Sequence, residues 1–157
     1  MAWGAPYLFR LIKANQTSTP GAQPEIVTWS AAEYATYGGA GISAASGSYT
    51  IQRDGVYHVA FGVELQDVSG ADNEVTFQIE INGTQDKARA IAMVEANQTV
   101  HVHLASDLKL SAGDVVRLVI EQSTGNIFIW AASAGGRILT WWSLHEIGGP
   151  MSTPDTP

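Results

Sequence analysis

Residues 137–147 read RILTWWSLHEI, from Arg137 to Ile147, and set Trp141 and Trp142 side by side. The run is rich in branched and aromatic residues and lacks the apolar spacing of a helix, so it reads as a strand. Successive side chains of a strand point to opposite faces. With Thr140, Trp142 and Leu144 turned to the core, Trp141, Ser143, His145 and Ile147 leave on the other side. A buried indole hides roughly 150–250 Å², worth up to ~4–6 kcal/mol at ~25 cal/mol per Å². A strand with an indole on each face therefore needs a cover for the second one, and a partner surface is the expected cover.

The same alternation runs through the chain in short segments broken by Gly, Asn, Asp and Ser at roughly the 8–12-residue spacing of an all-β sandwich. Strands are expected near Tyr7–Lys13, Glu25–Trp29, Ser48–Gln52, Val56–Gln66, Glu74–Ile81, Ala88–Glu95, Thr99–Ala105, Asp114–Glu121, Ile127–Trp130 and Ile138–Ile147. About ten strands of this kind fit two packed sheets. Asp54-Gly55 and Asn82-Gly83 are expected to supply the positive-φ residues of tight hairpins, as is Ala112-Gly113-Asp114. No internal repeat or linker divides the chain: residues 1–6 read as an arm, 7–147 as one domain and 148–157 as a tail.

Phase assigns faces. Tyr57, Val59, Phe61, Val63 and Leu65 share the core phase, which leaves His58, Ala60 and Gly62 on the other, where the small residues admit another backbone. Val100, Val102 and Leu104 likewise point in, and His101 and His103 point out. All four histidines of the chain fall on the non-core phase.

Composition narrows the function. A formal charge of -7 and a pI near 4.9 argue against nucleic-acid or anionic-membrane partners, which need a basic patch. No cysteine is present, so thiolate metal sites and cysteine nucleophiles are excluded. The first residues show no secretory signal, and no apolar run approaches the ~18 residues of a membrane helix. The expectation is a product made in the host cytoplasm.

Three stretches carry a family resemblance: Ser48–Phe61, SYTIQRDGVYHVAF; Leu108–Val116, LKLSAGDVV; and the closing strand Trp141–Ile147. In that order they resemble the trimeric jelly roll shared by tumour necrosis factors and the globular heads of complement, with its Gly-aromatic central strand, Leu-x-x-Gly-Asp turn and closing aromatic strand. The likeness spans about residues 7–147. Lacking a signal peptide, a collagen-like stalk and an anchor, the chain looks more like a phage-type version of this fold. The resemblance implies an all-β, two-sheet antiparallel jelly roll forming a homotrimer. His58, Ala60, Gly62, His101, His103, Trp141, Ser143, His145 and Ile147 would then face the trimer axis.

For chemistry the pattern offers little. His101-Val102-His103 has a spacing that zinc enzymes use, but no carboxylate near them in sequence supplies an outer-shell partner, so they read as interface histidines. Asp67, Asp72 and Glu74 gather oxygen ligands suited to calcium; without the spacing of a calcium hand, the loop reads first as solvated and only second as an ion site. No Gly-x-Ser-x-Gly elbow, zinc-protease motif or paired carboxylate appears, so no enzyme and no cofactor are expected.

With no shaft before the first strand or after the last, attachment is expected through the chain's own surface and tails: Trp3 and Pro6 in one arm, Pro150 and Pro154 in the other. The expected function is that of a virion structural protein, a trimeric decoration or cement protein stabilising a phage head, whose partners are its own copies and the major capsid protein. The alternative is the receptor-binding or glycan-binding tip of a phage tail fibre, using loops near residues 69–73, 123–126 or 131–136.

Overall fold

The computed structural model describes residues 8–12, 17–20, 25–29, 31–36, 42–43, 46–68, 70–83, 85–122, 126–130 and 140–148. Among these residues there are thirteen strands and no helix: β1 Leu8–Ile12, β2 Thr17–Pro20, β3 Glu25–Ile26, β4 Ala31–Thr36, β5 Ile42–Ser43, β6 Ser48–Thr50, β7 Gly55–Asp67, β8 Asn73–Ile81, β9 Gln85–Val94, β10 Thr99–Leu110, β11 Val115–Gln122, β12 Asn126–Trp130 and β13 Trp141–Gly148. They form two antiparallel sheets. One has seven strands in the order β2-β12-β7-β13-β1-β4, with β10 also on β7; the other has six, β5-β6-β11-β8-β9, with β3 on β11.

Strand β7 organises the first sheet. β10 pairs with it along residues 55–66, so β13, on residues 56–62, and β12, on residues 64–67, must share its opposite edge. Both edges of β7 are thereby satisfied. Its inward phase, Tyr57, Val59, Phe61, Val63 and Leu65, is buried and joins Trp142 and Leu144 of β13 in one core with Phe77 and Ile79 of β8 and Leu118 and Ile120 of β11. Each such side chain contributes ~1.5–3 kcal/mol relative to exposure. Trp142, 0% exposed, stacks on Phe61 at 5.2 Å, and Trp29 closes the cluster at 5.9 Å from Trp142 and 6.2 Å from Phe61.

The two-sheet antiparallel architecture and the inward phases match the sequence reading; several boundaries do not. β10 continues five residues beyond Ala105, because Leu108 and Leu110 keep the inward phase of Val100, Val102 and Leu104 through the small polar Ser106. β2, β4 and β5, short and rich in Ala, Thr and Ser, carry too little apolar alternation to be foreseen.

The turns need one correction. Asn82 (φ 56°) and Gly83 (φ 77°) both adopt the left-handed conformation expected between β8 and β9. Gly55 is not among the positive-φ residues and begins β7. It is glycine for space, since a Cβ there would meet the Gly148 carbonyl oxygen at 3.0 Å. Asp114 binds two turns together: its Oδ1 accepts from the Asn82 side-chain amide at 2.8 Å and its Oδ2 from the Ser111 amide at 2.8 Å, and Asn82 Oδ1 in turn accepts from the Val115 amide at 2.9 Å. Asp114→Ala removes both acceptors from the Leu-x-x-Gly-Asp turn. It is expected to lower the unfolding free energy by ~1–2 kcal/mol, read from the urea midpoint at unchanged slope.

Candidate functional site

Strand register arranges the outward face of the seven-stranded sheet in rows, because directly opposed residues share a face. From β10 across β7 to β13, Asp107, His58 and His145 form one row; Ala105, Ala60 and Ser143 form the next; His103, Gly62 and Trp141 form a third. His101 lies opposite Glu64 beyond them. Leu8, Arg10 and Ile12 of β1 hold the register positions beside His145, Ser143 and Trp141. The structure thus gathers His58, Ala60, Gly62, His101, His103, Trp141, Ser143 and His145 on one surface, with Ile147, 50% exposed, farther along β13.

The second indole has a cover within its own chain. Trp141 is half-buried because it rests on Gly62: a Cβ at that position would lie 2.6 Å from Cε2 and 3.0 Å from Cζ2 of the ring. The close approach foreseen there for another backbone is made by this indole. His103 flanks it at 6.0 Å between ring centres. Much of the expected burial is therefore local.

The histidines fall into two pairs. His58 and His145, directly paired across β7 and β13, have ring centres 5.0 Å apart at 42°. His58 Nδ1 lies 2.6 Å from Asp107 Oδ1. His101 and His103, two residues apart on β10, stack at 4.5 Å and 21°. His101 titrates below the ordinary imidazole range: partial burial is the main cause, the His103 ring adds to it, and Glu64 opposes it.

Carboxylates reach the histidines across strands and not along the sequence: Glu64 of β7 lies opposite His101, and Asp107 of β10 opposite His58. Asp107 lies inside β10, on the outward phase of His101 and His103. The continued alternation of Leu108 and Leu110 was the signal that would have placed it there.

The acidic loop does not converge. Asp67 is buried and accepts from the Asn73 side-chain amide at 3.1 Å, Asp72 accepts from the Ala96 backbone amide at 3.0 Å, and Glu74 is exposed. Among the described residues no group of three or more His, Asp or Glu side chains is gathered for a metal ion. Trp3, Pro6, Pro150 and Pro154, and most of the loops considered for a glycan, residues 123–125 and 131–136, lie outside the described residues.

Two measurements follow from this geometry. Gly62→Ala should displace the Trp141 ring at a cost of about 1–3 kcal/mol, and the penalty should shrink in a Trp141→Ala background, where nothing occupies the space. For His101 the folded state resists the proton more than the unfolded chain does. Its contribution is therefore level above the unfolded value near ~6.5, and stability is lost as pH falls below it toward the lower folded value. Denaturant midpoints across that acid range should fall less steeply for His101→Gln than for the parent chain.

No protein-family model matches the chain, and no curated protein matches it in sequence. Solved structures do match it. Murine APRIL at pH 5.0 is 18% identical, with 91% of this chain and 100% of that one covered and a TM-score of 0.63. The same protein at pH 8.5 gives 19% identity, the same coverage and a TM-score of 0.59. The globular domain of zebrafish complement 1qA gives 16% identity over 93% of this chain and 98% of that one, with a TM-score of 0.51. At such identities the likeness is one of fold, and the chain has the two-sheet jelly roll of the tumour necrosis factor and complement globular-domain type.

Proposed function

We propose that the chain is a non-catalytic assembly protein that works as a homotrimer built on the outward face of its seven-stranded sheet. The observation that carries this is the difference between the two outward faces. The six-stranded sheet turns Glu74, Glu80, Arg89, Arg117 and Glu121 outward, with Arg117 Nε donating to Glu80 at 2.8 Å. The seven-stranded sheet instead presents Ala105, Ser143, Trp141, Ile147 and four histidines around the buried Ala60 and Gly62, with Glu64, Asp107 and Lys109 as charged residues among them. Small, aromatic and uncharged residues in that density suit a surface meant for another protein.

A threefold ring joins unlike surfaces, so a trimer needs a second patch as well. Ile91 and Met93, 56% and 59% exposed, lie two residues apart on β9, the edge strand of the other sheet. A flat sheet face and an apolar edge are a complementary pair. The sequence resemblance, which implies a trimer, points the same way.

In its finer form the proposal is a decoration protein of a phage head, its arms at Trp3 and Pro6 and at Pro150 and Pro154 lying on the major capsid protein. The composition of those arms, an aromatic residue among small residues in one and prolines in the other, supports it.

Sedimentation velocity on the full chain should give a single trimeric species. Ala105→Arg, at an exposed site of the single chain, should leave the fold intact and yield monomers. A monomeric parent chain would reject the assembly. Purified phage heads should co-sediment with the protein, and removal of residues 1–6 or 149–157 should weaken that binding without changing the trimer; equal binding by full-length and trimmed chains would reject the arms.

A further inference from the structure

We propose that His58 and His145 bind a divalent transition-metal ion of the zinc class, with Asp107 as the carboxylate that orients His58. A zinc ion holds imidazole nitrogens at ~2.0–2.1 Å in tetrahedral geometry; with about 1.1 Å from nitrogen to ring centre, two bound rings have centres about 5 Å apart. The rings of His58 and His145 stand 5.0 Å apart and tilted, not stacked.

Protonation favours the same arrangement. A carboxylate only accepts hydrogen bonds, so Asp107 at 2.6 Å from His58 Nδ1 fixes the proton on that nitrogen. In the neutral ring this leaves the lone pair on Nε2, the nitrogen free to bind a cation. A ligating histidine commonly gives its other ring proton to a carboxylate in this way.

The scaffold suits a metal site. His58 and His145 are direct register partners on adjacent strands, and each of those strands is paired along both of its edges. Two histidines leave the remaining coordination positions to water or to groups of another molecule. The site lies within one chain and does not depend on the trimer proposed above, although a second copy seated on this face would reach those open positions.

The test uses the full chain with zinc in isothermal titration calorimetry and with cobalt in visible absorption, with sedimentation velocity on the same samples. One ion per chain is expected. His58→Gln and His145→Gln should each weaken binding by tenfold or more, and Asp107→Asn by about 10–100-fold, with circular dichroism unchanged. Should a histidine variant misfold, zinc-dependent shifts of the His58 and His145 ring nitrogens in the parent chain provide the same reading by nuclear magnetic resonance. Absence of saturable zinc binding overturns the site. So does binding that survives His58→Gln but is lost when His101 and His103 are both replaced by Gln. A monomer that binds zinc through His58 and His145 would keep the site and remove the trimer, and a trimer without zinc binding would do the reverse.

Discussion

Two neighbouring residues of β7, Phe61 and Gly62, lie beneath the two neighbouring indoles of β13, and the seven-stranded sheet depends on that match. Phe61 packs under Trp142 in the core, and Gly62 leaves room for Trp141 on the outside. A one-residue slip between these strands would exchange the faces, bringing Trp142 to an outward position and setting the side chains against the wrong floor. The largest residue type in the chain thus fixes register on both faces at once. One face does so by filling space, and the other by requiring that a side chain be missing.

From that register follows the chemistry of the outward face. Pairing of β13 with β7 and of β7 with β10 carries Asp107, His58 and His145 into one line, and His103 against Trp141 in another. The face is built from small residues and imidazoles, and imidazole is the one side chain that changes charge near neutral pH without perturbation. The proposed assembly and the proposed metal site would therefore draw on the same surface, a second copy covering its apolar parts and an ion taking its nitrogens.

One end of the sandwich is held by two different means. Asp114, Asn82 and Ser111 join the turns there by hydrogen bonds among partly exposed groups. Near it, the Arg53 guanidinium pairs with Glu146 of the closing strand, with Arg53 Nε 3.1 Å from both carboxylate oxygens, and the Tyr57 hydroxyl donates to the Arg53 carbonyl at 2.7 Å. Glu146 holds the inward phase of β13 beyond the last core residue, Leu144. There an ion pair replaces apolar packing at the rim of the core, which keeps the inward alternation without burying a lone charge.

Alternation, turn chemistry and charge were legible in the sequence because each is set within a few residues. The inward phase of β7 and β13, the outward phase of all four histidines and the left-handed Asn82-Gly83 turn needed no tertiary information. The end of β10 was legible in principle, and a small polar residue at the inward position Ser106 concealed it. What only the tertiary structure decided is which strands lie side by side and in what register. Asp107 meets His58 across 49 positions of sequence, and Gly62 meets Trp141 across more. Such meetings come from long-range strand pairing driven by burial of the whole core, and no local pattern encodes them.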